Sequence, residues 1–549
     1  VLSPNVIENS DFLTGAFPAQ YGNALSGVFD VNLRNGNNEN REYSVQAGML
    51  GFEFSAEGPF SHKSPSSYLI NYRYSTLSVL DELGFELSDA GKYRNYQDIS
   101  FKVNHPTSRA GNLSLFGIGG KSHSDADIDN GSDISSSDLG VLALTYENNI
   151  GEHGFINGSL SWTGTQFKKD SEIIGMSSGL VQVEESYSKS YMRASFSAKR
   201  RLHSRYLLEG GLTVSLLDFD FYLRNRDPGN TPYQEIINFI EKGSSTISQG
   251  YLLARHYLSP SVFTFYGVHF LNFSLTQDRS LEPRAGIRWQ PSETVSWSAA
   301  FGRHSRIENL QYYLGRDHQS GGNEVQINKS LGFTRANHLV ISYEQILASD
   351  YRLKVEPYFQ SLFNAPAQLD PSTLYSSINE HTGFITDTLV NNGRGTNYGI
   401  EVSLDKSFSN QFYYMINTSL YESKFRIGDH PERNTSYNGN YNIHALAGKE
   451  FNVNHGRDRF GLNLKATHGG GRPFVPIDLE KSIAEGKTVY LWGDAFEERL
   501  PAYFRIDFQL VYKKNKPAYS VEWRLDIQNI TDHRNASHYF FNSERDVIS

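Results

Sequence analysis

Two segments of this chain set aromatic rings beside guanidinium groups at short spacing. RIENLQYYLGRDH, starting at Arg306, carries Tyr312 and Tyr313; RPFVPIDLEKSIAEGKTVYLWGDAF, starting at Arg472, carries Phe474, Tyr490 and Trp492. Exposed rings stack on flat solutes and guanidinium groups form charge-assisted, forked bonds, so the combination suits a flat, polar or anionic ligand. The same rings could instead belong to an interfacial girdle or pack the loops against each other, and for any single residue this is the stronger reading. Covalent chemistry finds no support. GIGGKS at 117–122 resembles the end of a phosphate-binding loop, but Leu115 stands where the first glycine is needed and the segment alternates like a strand. Asp125, Asp127, Asp129, Asn130 and Gly131 imitate the start of a calcium loop, yet the glycine comes one position late and Ser136 occupies the place of the closing carboxylate. The histidines show no HExxH spacing and no GxSxG elbow is present, so neither a catalytic residue, a metal site nor a cofactor is expected.

What must position those segments is legible from the alternation around them. Between Pro501 and Ile530, Phe504, Ile506, Phe508, Leu510 and Tyr512 alternate with Arg505, Asp507, Gln509 and Lys513. After the turn KKNKPA, Tyr519, Val521, Trp523, Leu525 and Ile527 alternate with Ser520, Glu522, Arg524, Asp526 and Gln528. A period of two means strand. An aromatic-rich apolar face opposite a face of mixed charge is what a transmembrane β-barrel needs, with lipid outside and a wet lumen inside. The pattern recurs at Phe52, Phe54 and Ala56, at Val295, Trp297, Ala299 and Phe301, at Leu353, Val355, Pro357 and Phe359, and at Phe460, Leu462, Leu464 and Ala466.

Mean hydropathy is −0.48, a soluble-looking value, and no run approaches a membrane helix; a barrel escapes that test because only alternate residues are apolar. A net charge of −9 argues against nucleic acid as a partner. The lack of cysteine fits passage through an oxidising periplasm, though weakly. The spacing predicts about 21 strands, from 42–48 to 516–530. Short turns (61–66, 105–111, 149–154, 291–294, 408–411, 452–458, 513–518) alternate with long polar segments (near 122–137, 167–186, 223–246, 305–334, 365–394 and 470–500). Barrels of the outer membrane put short turns in the periplasm and long loops outside, so the first strand should run outward. An odd count then implies one further closing strand and a complete barrel of 22, a size whose lumen must be plugged.

FLTGAFPAQYGNALSGVFDVNLRNG, from Phe12 to Gly36, does not alternate like a barrel strand; taken alone it is a glycine-rich loop with a short strand. It resembles the last part of the plug domain of TonB-dependent outer-membrane receptors, through Thr14, Gly15, Phe17, Pro18, Ala19, Tyr21, Gly22, Ser26, Gly27, Val28 and Val31. GGGRPFVPIDLEKS from Gly469, ERLPAYFRIDFQLVYKKN from Glu498 and DIQNITDHRN from Asp526 look like late barrel segments of the same family, above all of receptors from Bacteroidetes-type bacteria. The resemblance implies an all-β chain, with residues 1–40 the end of a plug inside the lumen and 41–549 the barrel. Most of the plug and the last strand are then expected to lie outside this sequence.

That resemblance also implies a place in the outer membrane of a Gram-negative bacterium, in contact with its lipid. A siderophore, cobalamin, peptide or glycan cargo would be captured outside and imported with energy from an inner-membrane TonB-ExbB-ExbD complex acting on the plug. In a SusC-like variant a surface lipoprotein would act as a lid. The alternatives are a passive substrate-specific channel, which needs no plug, and a surface β-protein such as a propeller, whose turn lengths would repeat by blade.

Overall fold

The computed structural model describes residues 3–61, 64–77, 93–107, 110–128, 131–174, 180–227, 234–318, 324–369, 374–379, 388–486, 488–542 and 547–548. It opens with an antiparallel hairpin, β1 (Ile7–Thr14) and β2 (Gly27–Leu33), in which Phe12 faces Phe29. The barrel strands follow: β3 (Glu42–Gly48), β4 (Gly51–Pro59), β5 (Ser67–Tyr74), β6 (Tyr93–Thr107), β7 (Gly111–Ile128), β8 (Gly131–Ile150), β9 (Gly154–Ile174), β10 (Leu180–His203), β11 (Tyr206–Asp227), β12 (Gln234–Ser259), β13 (Val262–Phe273), β14 (Asp278–Ser292) and β15 (Val295–Arg306). They continue as β16 (Thr334–Ala348), β17 (Tyr351–Gln368), β18 (Leu389–Ser409), β19 (Phe412–Ile427), β20 (Tyr441–Val453), β21 (Asp458–Gly469), β22 (Tyr503–Asn515) and β23 (Ser520–Ile527).

These strands form one antiparallel barrel sheet, each long strand paired with the next along the chain. Of the 22 strands in that sheet, one, Arg433–Asn434, is only two residues long and pairs with β19 at Lys424 and Phe425, which leaves 21 long strands, the number expected from the alternation. By contact the chain falls into two compact units. Residues 1–255, 267–281 and 318–329 form one, which holds the hairpin; 256–266, 282–317 and 330–549 form the other, which holds both aromatic loop segments apart from His318.

The alternation assigns the two faces. Leu144, Leu160, Ala194 and Val214 stand side by side across β8 to β11, as do Leu142, Trp162, Met192 and Leu216, and all eight are open on the outer surface. On the inner face polar groups pair with each other: Arg73 with Asp98 at 2.9 Å, and Asn71 with Ser55 and Glu53 at 2.7 Å each. An apolar face left uncovered by protein is stable only against lipid. Along β11 the outer residues from Tyr206 to Leu216 span ten steps, about 33 Å of strand, and about 25 Å of membrane normal at a tilt of about 40°. Near the short turns the rings gather in pairs: Phe60 with Tyr68, Tyr257 with Phe263, Trp297 with Tyr343, Phe451 with Phe460 and Tyr512 with Trp523. This is a one-sided interfacial girdle.

The structure corrects three of the expected long loops. Residues 122–128 and 131–137, 167–174 and 180–186, and 223–227 and 234–246 are strand, continuing β7 to β12; Asp129 and Asn130 of the calcium-like string lie outside the described residues. Their polarity marks departure from the bilayer, not loss of pairing. In β11 the faces exchange character after Leu216. The outer residues become Asp218 and Asp220, while the inner ones, polar at Thr213 and Ser215, become buried Leu217, Phe219, Phe221 and Leu223. Above the lipid the outer face meets water and the inner face supplies the core.

Candidate functional site in the barrel lumen

The hairpin β1–β2 is seated on the polar inner side of the wall. At its open end the Ser3 hydroxyl and the Asn5 amide donate to Glu53 of β4, at 2.6 and 2.7 Å. Arg34 grips Glu57 of β4 with a two-pronged ion pair at 2.6 and 2.7 Å, and the Asn37 backbone N–H donates to the same carboxylate at 2.8 Å. The Lys102 ammonium, on β6, donates to the Leu33 carbonyl at 2.6 Å.

The connection between β1 and β2 is the stretch that looked like a plug terminus. Gly15 sits at φ 72°, in the left-handed region that glycine reaches without strain, and its carbonyl accepts from the Phe17 N–H at 2.8 Å. Phe17 and Ala19 are buried, and the Pro18 carbonyl accepts from the Tyr21 N–H to close the next turn. The Tyr21 hydroxyl donates to Asp30 of β2 at 2.7 Å, and burial followed by this bond pushes its phenol up to about 12. The loop then meets β13: His269 Nδ1–H donates to the Ala19 carbonyl at 2.8 Å. Gly22 lies so close to that imidazole that a Cβ there would stand 1.9 Å from Nε2. Gly27 ends the loop where β2 begins, its Cα beside the Leu13 carbonyl. Beside the loop a cavity of about 290 Å³ is lined by Gln20, Tyr21, Asn23, Arg193, Thr213, Gln249, Tyr251 and His269. A polar chamber of this kind, half wall and half loop, can hold a hydrated solute without paying for an unpartnered polar surface.

The outer aromatic segments divide. In the first, Tyr312 and Tyr313 are 1% and 0% exposed, contrary to the exposure expected of ligand-stacking rings. They lie in a short helix, α1 (Leu310–Tyr313), and are buried along with Leu310, Leu314, Leu331 and Phe333. The Tyr313 hydroxyl accepts from the Glu308 N–H at 2.9 Å, and Glu308 pairs with Arg306 at 2.8 Å. Sequence alone could not separate these rings from ligand-facing ones, because the loop's apolar residues find one another only after it folds.

In the second segment, Pro473–Phe474 pairs with Glu498–Arg499, and the helix α2 (Leu479–Glu485) is capped by Asp478, whose carboxylate accepts from the Lys481 N–H at 3.0 Å. That bond, the largest of its causes, holds the Asp478 carboxyl below the usual range. Phe474 rests edge-on against Tyr539 at 5.2 Å, and Phe496 joins Phe425 and Ile427 in a core beneath the loop. Tyr490 and Trp492 remain about two-fifths exposed, ring centres 6.0 Å apart, and Arg472 is also exposed. The docking groups Glu53, Glu57, Lys102 and His269 escaped the sequence reading: parity places them on the inner face, but nothing local names their partners.

No protein-family model matches this chain, and no curated protein is similar to it. Solved structures are. BauA, the ferric preacinetobactin receptor from Acinetobacter baumannii, has a TM-score of 0.66 at 12% identity, covering 98% of this chain and 82% of that one. FpvA, the pyoverdine outer membrane receptor from Pseudomonas aeruginosa, has a TM-score of 0.71 at 12% identity, covering 97% and 80%. The FrpB iron transporter from Neisseria meningitidis has a TM-score of 0.67 at 13% identity, covering 98% and 84%. At such identity the likeness is one of fold.

Proposed function

We propose that this chain is the barrel and terminal plug segment of a TonB-dependent receptor in a Gram-negative outer membrane, where it binds a scarce nutrient outside and imports it into the periplasm. The observation that carries the reading is the hairpin of residues 3–37, fixed by an ion pair and hydrogen bonds to the inner wall of a barrel whose outer face is uncovered and apolar. A passive channel gains nothing from an obstruction anchored in its lumen. A receptor needs one, because a pore of about 20 or more strands leaks unless it is plugged. In this reading residues 1–40 end the plug, 41–549 are the barrel, and the outer-membrane lipid meets the apolar belt.

The outer membrane offers neither nucleotide nor proton gradient, so the work of moving the plug comes from the TonB-ExbB-ExbD complex of the inner membrane. Cargo is a small molecule of the siderophore, cobalamin, peptide or glycan class. The fold neighbours that bind ferric preacinetobactin and pyoverdine support trying iron–siderophore complexes first. Tyr490, Trp492 and Arg472 are the outer groups still open to such a ligand, with or without a surface lipoprotein over them. The chemistry is binding and translocation, with no catalytic step. The deciding experiment is uptake of a panel of these cargoes in the native cell with and without functional TonB. Loss of uptake without TonB supports the receptor; uptake that persists assigns the barrel to the passive channels.

A further inference from the structure

We infer that the outer face of β8 to β13 carries a seat for one phospholipid with an anionic headgroup, its phosphate held by Arg200, Arg201 and Arg205 and its chains laid in two hollows above them. The seat needs the barrel in its membrane but not the importer, so uptake that persists without TonB would leave it standing.

The hollows are built by what the wall leaves out. On the outer face of β9, β11 and β12, Gly158, Gly210 and Gly250 alternate with exposed Leu160, Leu212 and Leu252. Around Gly210 and Gly250 lies a hollow of about 460 Å³, lined by Phe196, Leu212, Leu252, Val268 and Phe270. Beside it a second, of about 400 Å³, is lined by Leu144, Gly158, Leu160, Ala194 and Val214, and Phe196 and Leu212 border both. An acyl chain lying in a hollow touches protein at its sides as well as beneath, and so gains dispersion contacts that a flat wall does not give. Two adjoining hollows suit two chains that share one headgroup.

Below them lies the charge. Arg200 follows Phe196 by four residues on β10, hence on the same face, about 13 Å nearer the short turn. Its partners across the sheet, Gly154 and Leu208, are uncharged. Arg201 and Arg205 lie at the β10–β11 turn, and all three arginines are exposed. Lys199, which faces inward, is paired with Glu209 at 4.0 Å, but among the described residues no carboxylate is paired with Arg200, Arg201 or Arg205. The neighbouring 149–154 turn supplies one acid, Glu152, against these three guanidinium groups. A long side chain at the edge of the apolar belt keeps its stem on apolar surface and its charge at headgroup depth. Guanidinium forks match phosphate oxygens, and the surplus of positive charge favours an anionic headgroup over a zwitterionic one. Short turns of such barrels lie on the periplasmic side, where the leaflet is glycerophospholipid.

The test counts lipids bound to the folded protein in detergent by native mass spectrometry, with dioleoyl phosphatidylglycerol, dioleoyl phosphatidylcholine and lipid A titrated separately. Expected for the unsubstituted protein is binding of phosphatidylglycerol about tenfold or more tighter than of phosphatidylcholine. Arg200→Gln, Arg201→Gln and Arg205→Gln together should abolish that preference and leave phosphatidylcholine binding unchanged. A Cβ at position 210 would lie 3.4 Å from the Tyr251 carbonyl oxygen and 3.5 Å from Leu252 Cδ1, ordinary contacts, so Gly210→Leu fills the first hollow without moving the wall. It should weaken phosphatidylglycerol binding about fivefold or more with the arginines intact. Heat-sensitive gel mobility checks that each variant is folded. The seat is overturned if the unsubstituted protein shows no preference or binds lipid A more tightly than phosphatidylglycerol. It is equally overturned by a preference that survives the triple substitution, or by undiminished binding in Gly210→Leu.

Discussion

Leu160 offers a severe test of which side of the wall meets lipid. It lies on β9, six residues above Gly154 at the short turn, and its side chain is 62% exposed beside Leu144 and Ala194. Six steps of about 3.3 Å at a tilt of about 40° raise it about 15 Å, close to the middle of a band about 25 Å thick. Arginine on the lipid face at that depth costs about 2–4 kcal/mol. A central value of about 3 kcal/mol lowers the folding equilibrium by a factor of about 150. Ser159, one residue away and at nearly the same height, points to the lumen, where a guanidinium stays hydrated. Leu160→Arg should therefore shift the urea midpoint for refolding into phospholipid vesicles, read by the heat-sensitive gel mobility of the folded barrel, while Ser159→Arg moves it by less than about 1 kcal/mol equivalent. Equal shifts in both variants, or a larger one for Ser159→Arg, would refute the assignment of faces.

Arg34→Ala removes the fork on Glu57; because the two side chains are 31% and 11% exposed, solvent screening trims the cost to about 1–2 kcal/mol. Backbone amides of β1 and β2 should then exchange roughly tenfold faster in detergent, with those of β8 and β9 unaffected; unchanged exchange in the hairpin would mean that Arg34 does not anchor it. Acidification should loosen α2. The Asp478 carboxyl is held below its unfolded value, so its capping contribution is complete above the ordinary carboxylate range and is lost as the pH falls through the lowered folded value. Exchange of the 481–485 amides should rise in that acid window and not above it, and a cap that survived full protonation would contradict the mechanism.

Much of this was written in the alternation of residues. Phe508, Leu510, Trp523 and Leu525 against Arg505, Asp507, Glu522 and Arg524 are enough for strand, for two unlike faces and for a barrel in lipid, because a pleated backbone sends neighbours to opposite sides without help from distant residues. Turn length made an outward-running first strand the expectation, and the stretch around Gly15, Pro18, Tyr21, Gly22 and Gly27 singled out the segment that is bonded to the inner side of β13. Tertiary structure alone decided where polarity meant water outside a strand and where it meant a loop, as in β11 beyond Leu216, since both look polar and only pairing tells them apart. It alone sent Tyr312 and Tyr313 inside while leaving Tyr490 and Trp492 open, because burial of a ring depends on which distant apolar groups reach it. And it alone brought Ala19 to His269 and Arg34 to Glu57: contacts between a luminal segment and the wall have no local signature, and they exist only once the strands have assembled around the hairpin.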